Sequence, residues 1–197
     1  MFSRRLRKPS LALVLLLLAA LALGACGNSE TKVNTGTYAG ESGQNAPYLN
    51  VGLLVYEVQL SRELNPANVE DAAYLQGLTP VQRRLVPGQE WFAVFIQVYN
   101  HSSVPHLAAS TIAISDTQNN VYTPIVPNQT NQFAFRSGFI PAESQIPVAS
   151  SIAANGGTQG ALLLYKIRVV SLDNRPLTIH IVDPKDATQR ASAELDV

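Results

Sequence analysis

The chain has 197 residues, with 14 Lys plus Arg against 14 Asp plus Glu, three His and one Cys. Removing residues 1–25 takes four of the basic residues and no acid, which leaves 10 against 14 and a net charge of −4. A mildly acidic chain without a basic stripe lacks the electrostatic footprint that nucleic acid or anionic lipid requires, so nucleic acid is excluded as a partner.

At the start of the chain, Arg4, Arg5, Arg7 and Lys8 precede LALVLLLLAALAL (residues 11–23), which is apolar throughout. A basic start followed by a short apolar run has the form of a secretory signal. As a helix this run rises about 20 Å, short of the roughly 30 Å hydrocarbon core, so it is expected to act in export and not as a permanent span. Leu23, Gly24, Ala25 and Cys26 resemble a lipobox, the bacterial lipoprotein signal in which a leucine and two small residues precede the cysteine to be acylated. The resemblance implies a signal peptide over residues 1–25 and lipidation of Cys26 with palmitate-class chains. Two or three such chains, at about 0.8 kcal/mol per buried methylene, attach a protein stably where a single chain does not. The expected location is the extracytoplasmic face of the cell membrane. With Cys26 acylated, no thiol remains for a disulfide, and the core must stabilise the fold alone.

Residues 26–48 are rich in Gly, Ser, Thr and Asn without apolar periodicity, the composition of a flexible tether. Residues 49–197 read as one domain. VGLLVYEVQL (residues 51–60) alternates, placing Leu54, Tyr56, Val58 and Leu60 on one face against Glu57 and Gln59, which is the period of a half-buried strand. Helix signals replace the alternation over residues 65–87. Asn68 is placed to cap one short helix with Glu70 and Asp71 in its first turn and Gly77 beyond its end. Thr79, Pro80 and Gln82 supply N-cap, N1 and N3 of a second, and Pro87 and Gly88 stop it.

EWFAVFIQVYN (residues 90–100) is apolar on both faces, as a central strand covered from both sides would be. Residues 110–126 read as two strands joined by a polar turn at residues 116–120, with Asn119 able to take a positive φ. Residues 128–157 read as a long connection with one edge strand. GALLLYKI and PLTIHIVDP supply two further strands, and ASAELDV reads as a closing strand or a frayed end. About seven short strands at this spacing, without long helices between them, predict an all-β fold: an antiparallel immunoglobulin-like β-sandwich with a short helical insertion between early strands.

VFIQVYNHSS, ISDTQNNVYTP and GALLLYKI together resemble the telokin-like, immunoglobulin-fold domain of unknown function common in bacterial lipoproteins. The matching punctuation is Asn100, Asp116, Tyr122 and Gly160, within residues 51–182; the insertion at residues 65–87 departs from the short connection of that family. The resemblance implies a fold and an envelope location, not a reaction.

Chemistry is sparse. His101 and His106 sit five apart in HSSVPH and are the only pair suggesting copper or zinc, but a metal site generally needs three or four ligands. His180 lies on the polar face of its strand, and no G-x-S-x-G elbow accompanies it. Asn100 to Ser102 and Asn128 to Thr130 match glycosylation triplets but read as turn chemistry. The expectation is a lipoprotein that is not an enzyme, holds no cofactor or metal, and binds an envelope protein or cell-wall ligand through its loops and insertion. Tyr74, Arg83 and Arg84 are the candidate anchors, because Tyr and Arg are common in interface hot spots. The alternatives are a structural spacer in the envelope and a metal-binding envelope protein.

Overall fold

A computed structural model of the chain describes residues 48–195 and the backbone of Thr31–Asn34. The signal segment, Cys26, most of the segment read as tether, and Val197 lie outside the described residues. In chain order the elements begin with β1 (Thr31–Asn34), β2 (Tyr48–Val51) and β3 (Leu54–Leu64), followed by helices α1 (Val69–Tyr74) and α2 (Pro80–Arg83). Next come β4 (Gln89–Asn100), β5 (His106–Leu107), β6 (Thr111–Ser115), β7 (Val121–Tyr122), β8 (Phe139–Ile140) and β9 (Ser144–Ile146). The chain continues through α3 (Ile152–Asn155), β10 (Ala161–Arg168), a 3-10 turn at Val169–Leu172, β11 (Leu177–Val182) and β12 (Arg190–Leu195).

One sheet has the order β1-β12-β11-β6-β7 and the other β10-β4-β3-β2, with β9 pairing the far end of β4. Every named pair is antiparallel except β1 on β12. The core orders β12-β11-β6-β7 and β10-β4-β3 correspond to strands G-F-C-C′ and E-B-A of an immunoglobulin-like sandwich. β2 extends the second sheet, and α1 and α2 are inserted between β3 and β4. The predicted fold class is therefore the observed one.

The inner faces interdigitate as period-2 patterning requires. Leu177, Ile179 and Ile181 of β11, with Ile112 and Ile114 of β6, meet Phe92, Val94, Ile96 and Val98 of β4 and Ala161, Leu163, Tyr165 and Ile167 of β10 in the main core. Ala191, Ala193 and Leu195 of β12 join the same cluster, so the described part of ASAELDV, up to Leu195, is a closing strand.

Two expectations are corrected here. Thr31–Asn34, inside the segment read as tether, pairs in parallel with residues 190–193 of β12. An unpaired strand edge offers a row of backbone partners whatever the side-chain pattern, so composition alone did not reveal it. The alternation over residues 51–60 is also interrupted twice. Gly52, at φ +59, turns the chain between β2 and β3, and a bulge between Val58 and Leu60 moves Leu60 to the opposite face, where it pairs with Phe95. On that outer face Glu57 is buried beside Gln97, and the Tyr99 hydroxyl is placed to donate to either side chain.

The bulge serves a second apolar cluster on the outer face of the β4 sheet. Trp91, Ala93, Phe95, Leu162 and Leu164 point away from the main core and are covered by Leu64, Tyr74, Leu75 and Leu78, with Leu60, Leu85, Ile125 and Phe133 packed around them. This explains why EWFAVFIQVYN is apolar on both faces. The predicted caps hold: Asn68 Oδ1 accepts from the backbone N–H of Glu70 and Asp71, and Thr79 and Gln82 form a reciprocal capping box.

Candidate functional site

The insertion that carries the three candidate anchors is built inward. Tyr74 is buried, edge-to-face with Phe95 at 5.0 Å and Phe133 at 4.9 Å, and its hydroxyl donates to Glu70 Oε1 at 3.3 Å. It belongs to the second core and offers no ring to a partner, which corrects its assignment as an anchor. The sequence reading missed this because the burying surface, Phe95 and Phe133, lies in distant segments. Arg83 is exposed at its helix but donates through Nη2 to the Leu75 carbonyl at 3.0 Å, tying the two helices together. Arg84 is exposed, and its carbonyl accepts from Lys166 Nζ at 2.7 Å. The three residues therefore do not converge on one surface.

Two latches hold the insertion. Asp71 accepts from Arg62 Nη2 at 2.5 Å and from the Asn65 backbone N–H at 2.8 Å. Burial alone would raise the Asp71 carboxyl, but those hydrogen bonds and the Arg62 charge outweigh it and leave the group lowered. Asn131, buried in the connection after β7, donates to the carbonyls of Tyr74 and Gln76 at 2.8 and 2.9 Å and accepts from the backbone N–H of Phe133 and Ala134.

The four residues singled out by the family resemblance are structural. Asn100 is buried and donates to the carbonyls of Val104, Ile140 and Pro141, while its Oδ1 accepts from Ser102 in an Asx turn. Asn128 makes the same turn with Thr130, so both glycosylation-like triplets carry turn chemistry. Asp116 accepts from Ser171 Oγ at 2.6 Å, Asn120 Nδ2 at 2.7 Å and the backbone N–H of Gln118 and Asn120. Burial pushes its carboxyl up, and these bonds more than offset the push and hold it below the ordinary value. Tyr122 OH shares a 2.6 Å hydrogen bond with the same Ser171. Gly160, at φ +113, packs so close to β4 that a Cβ would lie 2.9 Å from the Ile96 nitrogen.

The histidines are dispersed. His101 is exposed and stacks on Tyr99 at 5.6 Å with a 9° interplanar angle. His106 opens β5 instead of lying in a loop, and its Nε2 is buried. No group of three or more His, Cys, Asp or Glu is placed to hold a metal among the described residues. His180 Nε2 and Ser115 Oγ are 2.8 Å apart across β11 and β6, and burial lowers the imidazole, which stays neutral near pH 7. This Ser–His pair sits on the outer face of the β11 sheet. Among the described residues no carboxylate is hydrogen-bonded to the imidazole, so the arrangement lacks the orienting acid of a triad.

One apolar concavity among the described residues was not legible in the sequence. Residues 123–137 run along the free edge of β10: Ile125 N donates to Leu164 O at 2.7 Å, Leu162 N to Phe133 O at 2.7 Å, and Phe135 N to Leu162 O at 2.8 Å. Between this connection and the start of β6 lies a cleft of about 250 Å³, walled by Ile112, Pro124, Ile125, Val126, Phe135 and Leu163. Two of its polar side chains, Arg136 and Ser137, are already engaged. Arg136 donates to the carbonyls of Pro127 and Asn128 at 3.1 and 2.5 Å, and Ser137 Oγ donates to Ala108 O at 2.7 Å. At that volume, below the roughly 300–1,000 Å³ of typical small-molecule sites, the cleft suits an inserted apolar side chain better than a cofactor. The alternating Phe133 and Phe135 were the one sequence signal that this connection is strand-like and packed.

No family model matches the chain, and no curated protein matches it. Among solved structures the chain is similar to the ycdA protein of Bacillus subtilis subsp. subtilis str. 168, provisionally described as a lipoprotein. That match has 7% identity and a TM-score of 0.45, covering 79% of this chain and 39% of that one. It is also similar to the yjhA protein of Bacillus subtilis, with 9% identity and a TM-score of 0.48 over 76% of this chain and 97% of the other. An uncharacterized β-sandwich protein of Clostridium difficile 630 has 10% identity and a TM-score of 0.44 over 77% and 91%. This chain thus spans well under half the length of the first of these proteins. Among the described residues no helix is long and apolar enough to cross a membrane.

Proposed function

We propose that the protein is an extracytoplasmic lipoprotein, held to the cell membrane by acyl chains on Cys26, whose sandwich is a binding module for an envelope protein or cell-wall ligand. The observation that carries the anchor is the sequence Leu23-Gly24-Ala25-Cys26 directly after a basic start and a thirteen-residue apolar run. Support for a binding role comes from the apolar cleft beside β10, whose lip residue Val126 is exposed and whose size fits one inserted side chain. Loops held on a rigid scaffold are common recognition elements. On this reading the protein is not an enzyme, and no cofactor or metal takes part.

The anchor is tested with Cys26→Ala in the native host. The variant is expected to lose acyl label and to accumulate as unprocessed precursor, and normal processing with membrane retention would overturn the anchor. The module is tested by crosslinking in intact cells with wild type and Val126→Asp. A partner captured by wild type and lost in the variant supports binding at the cleft. Identical capture patterns overturn the cleft, and the absence of any captured partner favours the spacer reading.

A further inference from the structure

We infer that one end of the sandwich, the end carrying Leu53 and Phe139, rests on the bilayer that holds the protein's own anchor. The inference builds on the acylation of Cys26 proposed above. Thr31 pairs with Arg190, so β1 starts at the end of the sandwich where β12 starts. The same end holds the Gly52-Leu53 turn, the loop after β11, and the β5-β8 ribbon. These segments adjoin each other. A Cβ on Gly52 would meet Asp183 Oδ2 at 2.7 Å, Asp183 Oδ1 accepts from the Lys185 backbone N–H at 2.7 Å, and Lys185 Nζ lies 5.8 Å from the centre of the Phe139 ring.

Large apolar side chains are left open there: Leu53 is 66% exposed, Phe139 66% and Val104 51%. A leucine and a phenylalanine beside a lysine that can extend toward water are the side chains that settle into a membrane interface. The acids at this end, Asp183, Asp186 and Glu143, outnumber Lys185 and Arg190, so the contact is apolar and does not depend on anionic lipid.

The covalent geometry selects this end over the other. Five Cα steps separate Cys26 from Thr31, a reach of at most about 18 Å when fully extended. The opposite end also exposes valines, namely Val86, Val121, Val169 and Val170. It lies a full β4 strand of 12 residues away, roughly 40 Å at the rise of a β-strand, beyond that reach. Pairing of β1 thus converts a segment that would otherwise let the domain stand off into a short strap.

The test places a reporter at each end of the full mature, acylated protein: Phe139→Trp and Leu53→Trp at the proposed contact and Val121→Trp at the far end, with buried Trp91 common to all. Each protein is reconstituted in phosphatidylcholine vesicles with bromines on the upper acyl carbons, and mass spectrometry records the acylation of Cys26. F139W and L53W are expected to lose on the order of half of the added emission, because the upper acyl carbons adjoin the interfacial layer, while V121W is unaffected. Acylated protein with all three reporters quenched alike, or none quenched, overturns the orientation and leaves the anchor standing. Protein recovered from its host without acyl mass on Cys26 overturns the anchor and the orientation with it.

Discussion

The two sheets treat their outer faces differently. Outside β4 and β10 lies a second apolar cluster, built on Trp91, Phe95, Leu162 and Leu164 and sealed by the insertion and the connection after β7. Outside β11 and β12 the face is half-exposed and polar, with Thr178, His180, Ser192 and Glu194, and among the described residues no apolar cluster forms on it. The difference follows from patterning. A strand apolar at every position needs cover on both sides, whereas LTIHIV alternates and tolerates water on one. The covered face gains stability and loses availability, so Tyr74 became a core residue.

The strongest way to break this comparison is to empty the covered face. Trp91→Ala removes the largest fully buried side chain and its contact with the Lys166 ammonium, 5.1 Å from the ring centre. The expected loss is about 3–5 kcal/mol, read from urea midpoints. A loss under about 1 kcal/mol, the range of surface substitutions, would show that the insertion is an appendage and not part of the core.

Next in size is the polar closure at the turn between β6 and β7. Asp116→Asn puts two amide donors where four donors now converge on a carboxylate, and a cost of about 2–4 kcal/mol is expected. The pH dependence has a definite sign. Because the folded carboxyl lies below its unfolded value, the stabilisation from Asp116 is fully present above the unfolded value near 4 and is lost as pH falls through the folded value. Between neutral pH and that acid range, wild type should therefore lose its advantage over D116N. Parallel stability curves for the two proteins would contradict the assignment.

A smaller effect is expected from Asn131→Ala, which strips four hydrogen bonds from the latch between insertion and connection. The cost should be about 1–3 kcal/mol. It should fall locally, with faster hydrogen exchange at residues 69–78 while β11 amides stay protected. Uniform acceleration across both sheets would mean that the insertion has no separate latch.

These contrasts also show what the sequence made legible. Caps are local, so Asn68, Thr79 and Gln82 could be assigned from spacing alone, and the strict alternation of β11 named its buried side chains correctly. The double-faced apolar pattern of residues 90–100 predicted cover on both sides without identifying the cover. The bulge after Val58 was hidden because its cause lies across the sheet, in the need to bring Leu60 onto the face of Phe95. Tyr74, the cleft and the pairing of β1 were hidden for the same reason: each depends on segments far apart in the chain, and composition reports only the local half of such contacts.

The smallest expected effect lies on the open face, and its sign is what makes it informative. His180 is central in its sheet yet only half-buried, and its imidazole is bonded to Ser115 Oγ. Burial favours its neutral form, so the folded value lies below the unfolded value near 6.5. The unfolded chain then binds more protons than the folded one as pH falls through that range, and stability from this residue declines on acidification. His180→Gln keeps a hydrogen-bonding side chain for Ser115 and removes the titration. At pH 7 it should change stability by no more than about 0.5 kcal/mol, as surface substitutions do. Between pH 7 and pH 5 the variant should lose less stability than wild type, because His101, His106 and the carboxylates are common to both and cancel in the comparison. Equal losses would place the imidazole in full contact with water and make the outer face of β11 as open as a loop.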